Sequence, residues 1–136
     1  MDIISVERRS SLMARIRSKN TGPEMIVRRL AHALGYRYLL HDRRLPGSPD
    51  LVFPGRKKVV LVHGCFWHGH DCGRGFRPKT NADFWSAKIE RNKDRDLRQQ
   101  RALRRLGWRT LVIWECATRA DRVTSLERRL VRFLGS

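Results

Sequence analysis

The sequence predicts an α/β fold in which a mixed sheet is flanked by helices. Three observations lead there. The periodic segments run helix, hairpin, helix, strand, helix; the strand candidates are dense in Val, Leu, Ile and Trp; and 136 residues suffice for one core but not two. The chain, residues 1–136, is therefore read as one domain.

Taken in order, residues 1–20 are rich in Arg and Ser and read as a short helix or arm around Leu12, Met13 and Ile16. Thr21-Gly22-Pro23-Glu24 is a helix start: a capping Thr, an early Pro and an acid in the first turn. Ile26, Val27, Leu30, Ala31 and Leu34 follow at helical spacing, and Gly35 is the expected stop. Leu45-Pro46-Gly47 is turn chemistry. Leu51 to Phe53 and Val59 to Val62 read as two strands joined by Pro54-Gly55-Arg56-Lys57, a hairpin. Residues 63–79 form a loop dense in His, Cys, Gly and aromatics. A charged helix runs from Asn81 or Asp83 to about Leu106 and ends at Gly107. Trp108 to Trp114 is a continuous apolar run, which predicts a strand buried on both faces. The last helix carries Val123, Leu126, Leu130, Val131 and Leu134.

Thirty Lys and Arg against 13 Asp and Glu give a net charge of +17. Solubility alone asks for a charge of roughly 2 to 8. The excess points to a polyanion, nucleic acid first. A basic membrane-surface protein would carry a strongly amphipathic apolar helix or a lipidation signal, and neither is present. No signal peptide and no apolar run near the ~20 residues of a membrane span are seen, so a cytosolic protein is expected. Three cysteines in a reducing compartment argue for metal binding or core packing rather than disulfides. No helix shows a spare apolar face, which predicts a monomer.

Asp50 stands at the entrance to the first hairpin strand, and Pro49 stiffens its approach. Its plainest use is to cap a turn. Its other use is chemical: Mg²⁺ takes hard oxygen ligands, and one carboxylate with a backbone carbonyl and a phosphate oxygen would hold it. His63 at the end of the second strand and His68 five residues later supply imidazoles suited to proton transfer near neutral pH. Cys65-x4-His70-x-Cys72, with Cys116 farther on, gives a Cys3His set of the closed, structural zinc kind. Buried free thiols are the alternative. His70 is taken as the ligand, leaving His68 for chemistry; His32 and His41 are read as surface or core-edge residues. Phe66 and Trp67 either pack or insert between base steps, where unstacking is cheapest at a mismatch. Phe84, Trp108 and Trp114 are read as core. The Arg-rich face of residues 88–109 is the expected phosphate-tracking surface.

Leu45-Pro46-Gly47-Ser48-Pro49-Asp50 and Val62-His63-Gly64-Cys65-Phe66-Trp67-His68-Gly69-His70-Asp71-Cys72 closely resemble the very short patch repair (Vsr) endonucleases. So do Phe84-Trp85-Ser86-Ala87-Lys88-Ile89 with Asn92, and Gly107-Trp108-Arg109 leading to Val112-Ile113-Trp114-Glu115-Cys116. The likeness spans about residues 10 to 117 and is most specific in its HGCFWH core.

The resemblance implies a restriction-endonuclease-like core of the PD-(D/E)xK type. It also implies a magnesium-dependent nick 5′ to the mismatched T of a T·G pair, the product of 5-methylcytosine deamination. On it, Asp50 is the metal carboxylate, with the Val62 backbone carbonyl as a second ligand. His68 is the general base, His63 assists at the phosphate, and Glu24 is a supporting acid from the first helix. Cys65, His70, Cys72 and Cys116 match the structural Zn²⁺ set. Phe66, Trp67 and Trp85 match the inserted aromatics, Lys88 and Asn92 lie near the recognised pair, and Met13 belongs to a DNA-contacting arm over residues 1–20. The substrate is double-stranded DNA with a T·G mismatch. A cytoplasmic, nucleoid-associated bacterial protein is implied, linked in function to a cytosine-5 DNA methyltransferase and to mismatch-repair proteins. Val62 stands where a relative has Thr, and the Glu-x-Lys half of the restriction-type motif is absent, with His63 and His68 in the lysine's stead. Two rival classes remain: a related nicking or restriction-associated nuclease of other specificity, and a non-catalytic DNA-binding module.

Overall fold

The computed structural model describes residues 21–70, 72 and 81–135. Seven elements follow in chain order: α1 (Gly22–Ala33), β1 (Leu39–Leu40), β2 (Leu51–Phe53), β3 (Lys58–His63), α2 (Ala82–Arg105), β4 (Arg109–Trp114) and α3 (Val123–Leu134). The sheet is mixed, in the order β1-β2-β3-β4, with the first two pairings antiparallel and β3·β4 parallel. No helix among the described residues is long and apolar enough to cross a membrane.

Local chemistry explains the boundaries. Thr21 Oγ1 accepts the Glu24 N–H at 3.3 Å, one of the orphan donors of the first turn of α1. Pro54-Gly55-Arg56 closes the hairpin as a single 3₁₀ turn, with Lys57 in the left-handed region. Gly107, at φ +88, ends the run after α2. At the end of α3, Arg56 Nη1 donates to the Leu134 carbonyl at 2.7 Å and Lys58 Nζ to that of Phe133 at 2.6 Å. Two cations from the hairpin thus meet the negative end of a helix.

Period-two alternation distributes the strands' side chains between two layers. Leu51, Phe53, Val60 and Ile113 pack with Val27 and Ala31 of α1 and Leu126, Leu130 and Leu134 of α3. Val52 and Val59 pack with Leu103 of α2, beside Leu45 and Trp108. Helices therefore cover both faces of the sheet, as the element order predicts.

Two expectations change. The strands buried on both faces are β2 and β3, not β4: β4 lies at the sheet edge, and only Ile113 within it is fully buried. An apolar run is as compatible with an edge strand half-covered by helices as with a central one, so composition could not choose. Phe84 is not core; it is 55% exposed and meets Trp85 edge-on at 5.2 Å. The arm around Met13, and residues 73–80, lie outside the described residues.

Candidate active site

The hairpin brings the acid at its entrance beside the histidine at its exit. The β2–β3 register pairs Leu51 with Val60, and one step on, Val62 N–H donates to Asp50 Oδ2 at 2.7 Å. Burial pushes the Asp50 carboxyl up to about 6; the Val62 N–H opposes that rise, and the negative charge of Glu24 adds to it. Glu24 reaches the same place from the first turn of α1 and is only 2% exposed. The third member was not expected. His41, read from sequence as peripheral, sets Nε2 3.0 and 3.1 Å from the two Glu24 oxygens. Glu24, His41 and Asp50 offer ligand atoms within 4.8 Å of one another.

Next to this acidic cluster stand two further histidines, His63 and His68. His63 and His68 stack at 4.0 Å with rings nearly parallel. Burial, then the neighbouring His68, depress the His63 imidazole to about 4, so it is neutral at physiological pH. Its Nδ1 is buried with no hydrogen-bond partner among the described residues. His68 Nδ1 meets Asp96 Oδ2 at 2.5 Å. A carboxylate only accepts, so the Nδ1 carries the proton and Nε2 is left as the acceptor. Asp96 was missed in the sequence, where it reads as one acid on an Arg-rich helix. Its signal was spacing: Lys88, Asn92 and Asp96 recur at four-residue intervals and so share one face of α2.

His41, Asp50, His63 and His68 line one cleft of about 600 Å³, walled by the hairpin on one side and by Lys88, Asn92, Arg95, Asp96 and Gln99 of α2 on the other. Two glycines let the loops close on that helix. A Cβ at Gly47 (φ +78) would lie 2.7 Å from Gln99 Oε1, and one at Gly69 (φ +65) 2.7 Å from Ile89 Cγ2. At the mouth, the rings of Phe66, Trp67 and Trp85 meet edge to face at 5.2 to 5.8 Å. Lys88 Nζ sits over the rings of Trp67 and Trp85, and Asn92 Nδ2 donates to the Trp67 carbonyl at 2.8 Å.

Cys65, His70, Cys72 and Cys116 converge behind this mouth, their ligand atoms within 4.8 Å of one another. Tetrahedral zinc with N and S ligands has edges of roughly 3.5 to 3.8 Å, and Cys116 Sγ lies 3.7 Å from His70 Nδ1. Burial and the neighbouring thiols push Cys65 up to about 12. A dication at the centre is the charge that would let such thiols ionise, so the donor set fits a zinc ion. His70, not His68, lies with the cysteines. Trp114 is no ordinary core residue either: it stacks on His70 at 4.1 Å and meets His63 edge-on at 5.2 Å, joining the cysteine cluster to the histidine pair.

Comparison with known proteins agrees with this geometry. Residues 1–74 match the family model described as DNA mismatch endonuclease Vsr. The chain is 56% identical over 115 residues to the type II nicking enzyme V.XorIIP of Xanthomonas oryzae pv. oryzae, covering 85% of each chain. It is 44% identical to the type II nicking enzyme V.NmeAIP of Neisseria meningitidis, over 85% of this chain and 82% of that one. Against DNA mismatch endonuclease Vsr of Escherichia coli it is 39% identical, over 87% of this chain and 76% of that one. Family match, identity and coverage agree: the chain belongs to the Vsr family of DNA mismatch endonucleases and related nicking enzymes.

Proposed function

We propose that this protein hydrolyses one phosphodiester bond of duplex DNA 5′ to the T of a T·G mismatch, with Mg²⁺ at Asp50 and a structural Zn²⁺ at the four-ligand cluster, on a restriction-endonuclease-like core. The observation that supports it most is the single cleft in which an acidic cluster, a histidine–carboxylate pair and an aromatic mouth adjoin. Asp50 and the Val62 backbone carbonyl would hold the magnesium, with Glu24 behind them. The fit rests on the donors: a carboxyl raised first by burial and further by a neighbouring carboxylate is a site short of positive charge. A divalent cation bound there supplies Lewis-acid polarisation of the scissile phosphate.

The remaining steps belong to the chain. His68, its Nδ1 proton committed to Asp96, presents Nε2 to take a proton from the attacking water. Neutral His63, stacked on it, offers a hydrogen bond at the phosphate without adding a second cation to the pocket. Phe66, Trp67 and Trp85 form the wedge that enters a base step, and unstacking costs least where pairing is already poor. Lys88 and Asn92, tied to Trp67, contact the exposed pair.

Strand-resolved cleavage of a labelled duplex with one T·G pair, beside its T·A control, tests the reading. A magnesium-dependent nick in the T strand alone is expected. Asp50→Ala should abolish the nick, by roughly 10³-fold or more, while retaining mismatch binding, since it removes a metal ligand and not a DNA anchor. Cleavage of both duplexes would leave a nuclease of other specificity, a reading favoured by the nicking enzymes among the relatives. Normal cutting by Asp50→Ala would remove Asp50 from the site.

A further inference from the structure

His41 is the residue of the acidic cluster for which the sequence offered no role, and it is held in place twice. Its main chain has φ +48, a left-handed conformation that is costly for a residue with a Cβ. Its N–H donates to the Asp50 carbonyl at 3.2 Å. Its ring reaches the other way, to α1, where Nε2 lies 3.1 Å from Glu24 Oε1 and 3.0 Å from Oε2. One N–H shared between both oxygens fixes a carboxylate in rotation as well as position. Among the described residues, Arg28 Nη1 also approaches Glu24, at 3.5 Å, a turn farther along α1. A carboxyl group 2% exposed needs such partners to offset the cost of its burial.

We propose that His41 is a positioning residue for the divalent-cation site: it joins the strand entrance that carries Asp50 to the helix that carries Glu24 and holds the Glu24 carboxylate in place behind Asp50. The inference rests on the reading that Asp50 holds a cation with Glu24 behind it. Removing the ring leaves Glu24 to Arg28, which draws it back along its own helix, and Asp50 loses a preoriented partner. Metal affinity then falls although no ligand has been removed, as is usual when a partner behind a ligand is lost. Direct ligation by Nε2 is the competing arrangement, but in this structure that nitrogen is spent on both Glu24 oxygens.

Mn²⁺ is a suitable probe, since it prefers oxygen donors as Mg²⁺ does and leaves the thiol cluster alone. Zinc-replete protein would be titrated with Mn²⁺, free ion being read by electron paramagnetic resonance, with no DNA or turnover involved. His41→Leu is expected to weaken Mn²⁺ binding about 10-fold or more, and His41→Gln, whose amide still donates, to restore most of it. Should His41→Leu fail to fold by circular dichroism, His41→Asn, polar but too short to span to Glu24, carries the same expectation. Unchanged affinity in the variant lacking the donor would overturn the role of His41 alone. Unchanged affinity in Asp50→Ala would overturn the cation site itself and the inference with it. A ¹⁴N coupling to bound Mn²⁺ that vanishes in His41→Gln would make the ring a ligand and overturn positioning.

Discussion

Burial acts on Asp50 and His63 in opposite directions. Asp50 titrates near 6 in the folded protein against 3.8 for a free side chain, so the folded state holds its proton more tightly. The stability this gives is complete below pH 3.8 and is lost as pH rises through 6. It amounts to roughly 3 kcal/mol. His63, lowered from 6.5 to about 4, contributes stability above pH 6.5 that is lost as pH falls through 4. Between those limits the two oppose each other. Asp50→Asn removes only the first. In magnesium-free buffer at neutral pH it should be more stable than the parent by about 3 kcal/mol, the advantage vanishing near pH 4. Thermal melts across that range check it; an advantage independent of pH would mean that Asp50 does not hold its proton in the fold. At this scale the sequence was most legible where chemistry is local. Asp50, His63 and His68 stand on one hairpin and its exit, whereas His41 and Asp96 gain their roles only through contacts 17 and 28 residues away.

Among the elements, the loop after β3 and the turn after β4 meet at the cysteine cluster and where the Cys65 N–H donates to Glu115 Oε1 at 3.2 Å. Cys65, His70 and Cys72 belong to the first and Cys116 to the second. A zinc ion there would tie the edge strand to the hairpin's exit, and Trp114, stacked on His70 and edge-on to His63, would carry that tie to the histidine pair. Cys116→Ser should lower zinc content and cost about 3 kcal/mol or more, the range in which loss of a metal ligand falls. Metal analysis and melting of the same preparation provide the check, and an undiminished zinc content would remove Cys116 from the set. The helices, the hairpin and their caps were readable from spacing and turn residues, since those signals lie within a few positions of each other. Which strand takes the sheet edge was not readable: β3 and β4 are both apolar, and pairing partners far away in sequence decide between them.

The molecule as a whole carries +17, and its cleft opens beside the Arg-rich face of α2. If that surface tracks phosphates, binding to a T·G duplex should weaken steeply with salt, with a slope of log affinity against log salt of about −4 or steeper. Fluorescence anisotropy at several salt concentrations measures it. A shallow slope would assign the charge to something other than DNA. Composition alone announced a polyanion partner, because charge is a sum that needs no fold.

The parallel pairing of β3 with β4 spans a crossover that contains all of α2, and no tight turn can make such a pair. Synthesis runs from the N terminus, so the chain owns Asp50, His63 and His68 well before it owns Asp96, and Asp96 before Cys116. A half-made polypeptide therefore holds the side chains proposed to react without the carboxylate that meets His68 or the last sulfur of the cysteine cluster. The hazard of the reaction and the means to perform it arrive in that order, and only the finished strand brings them together.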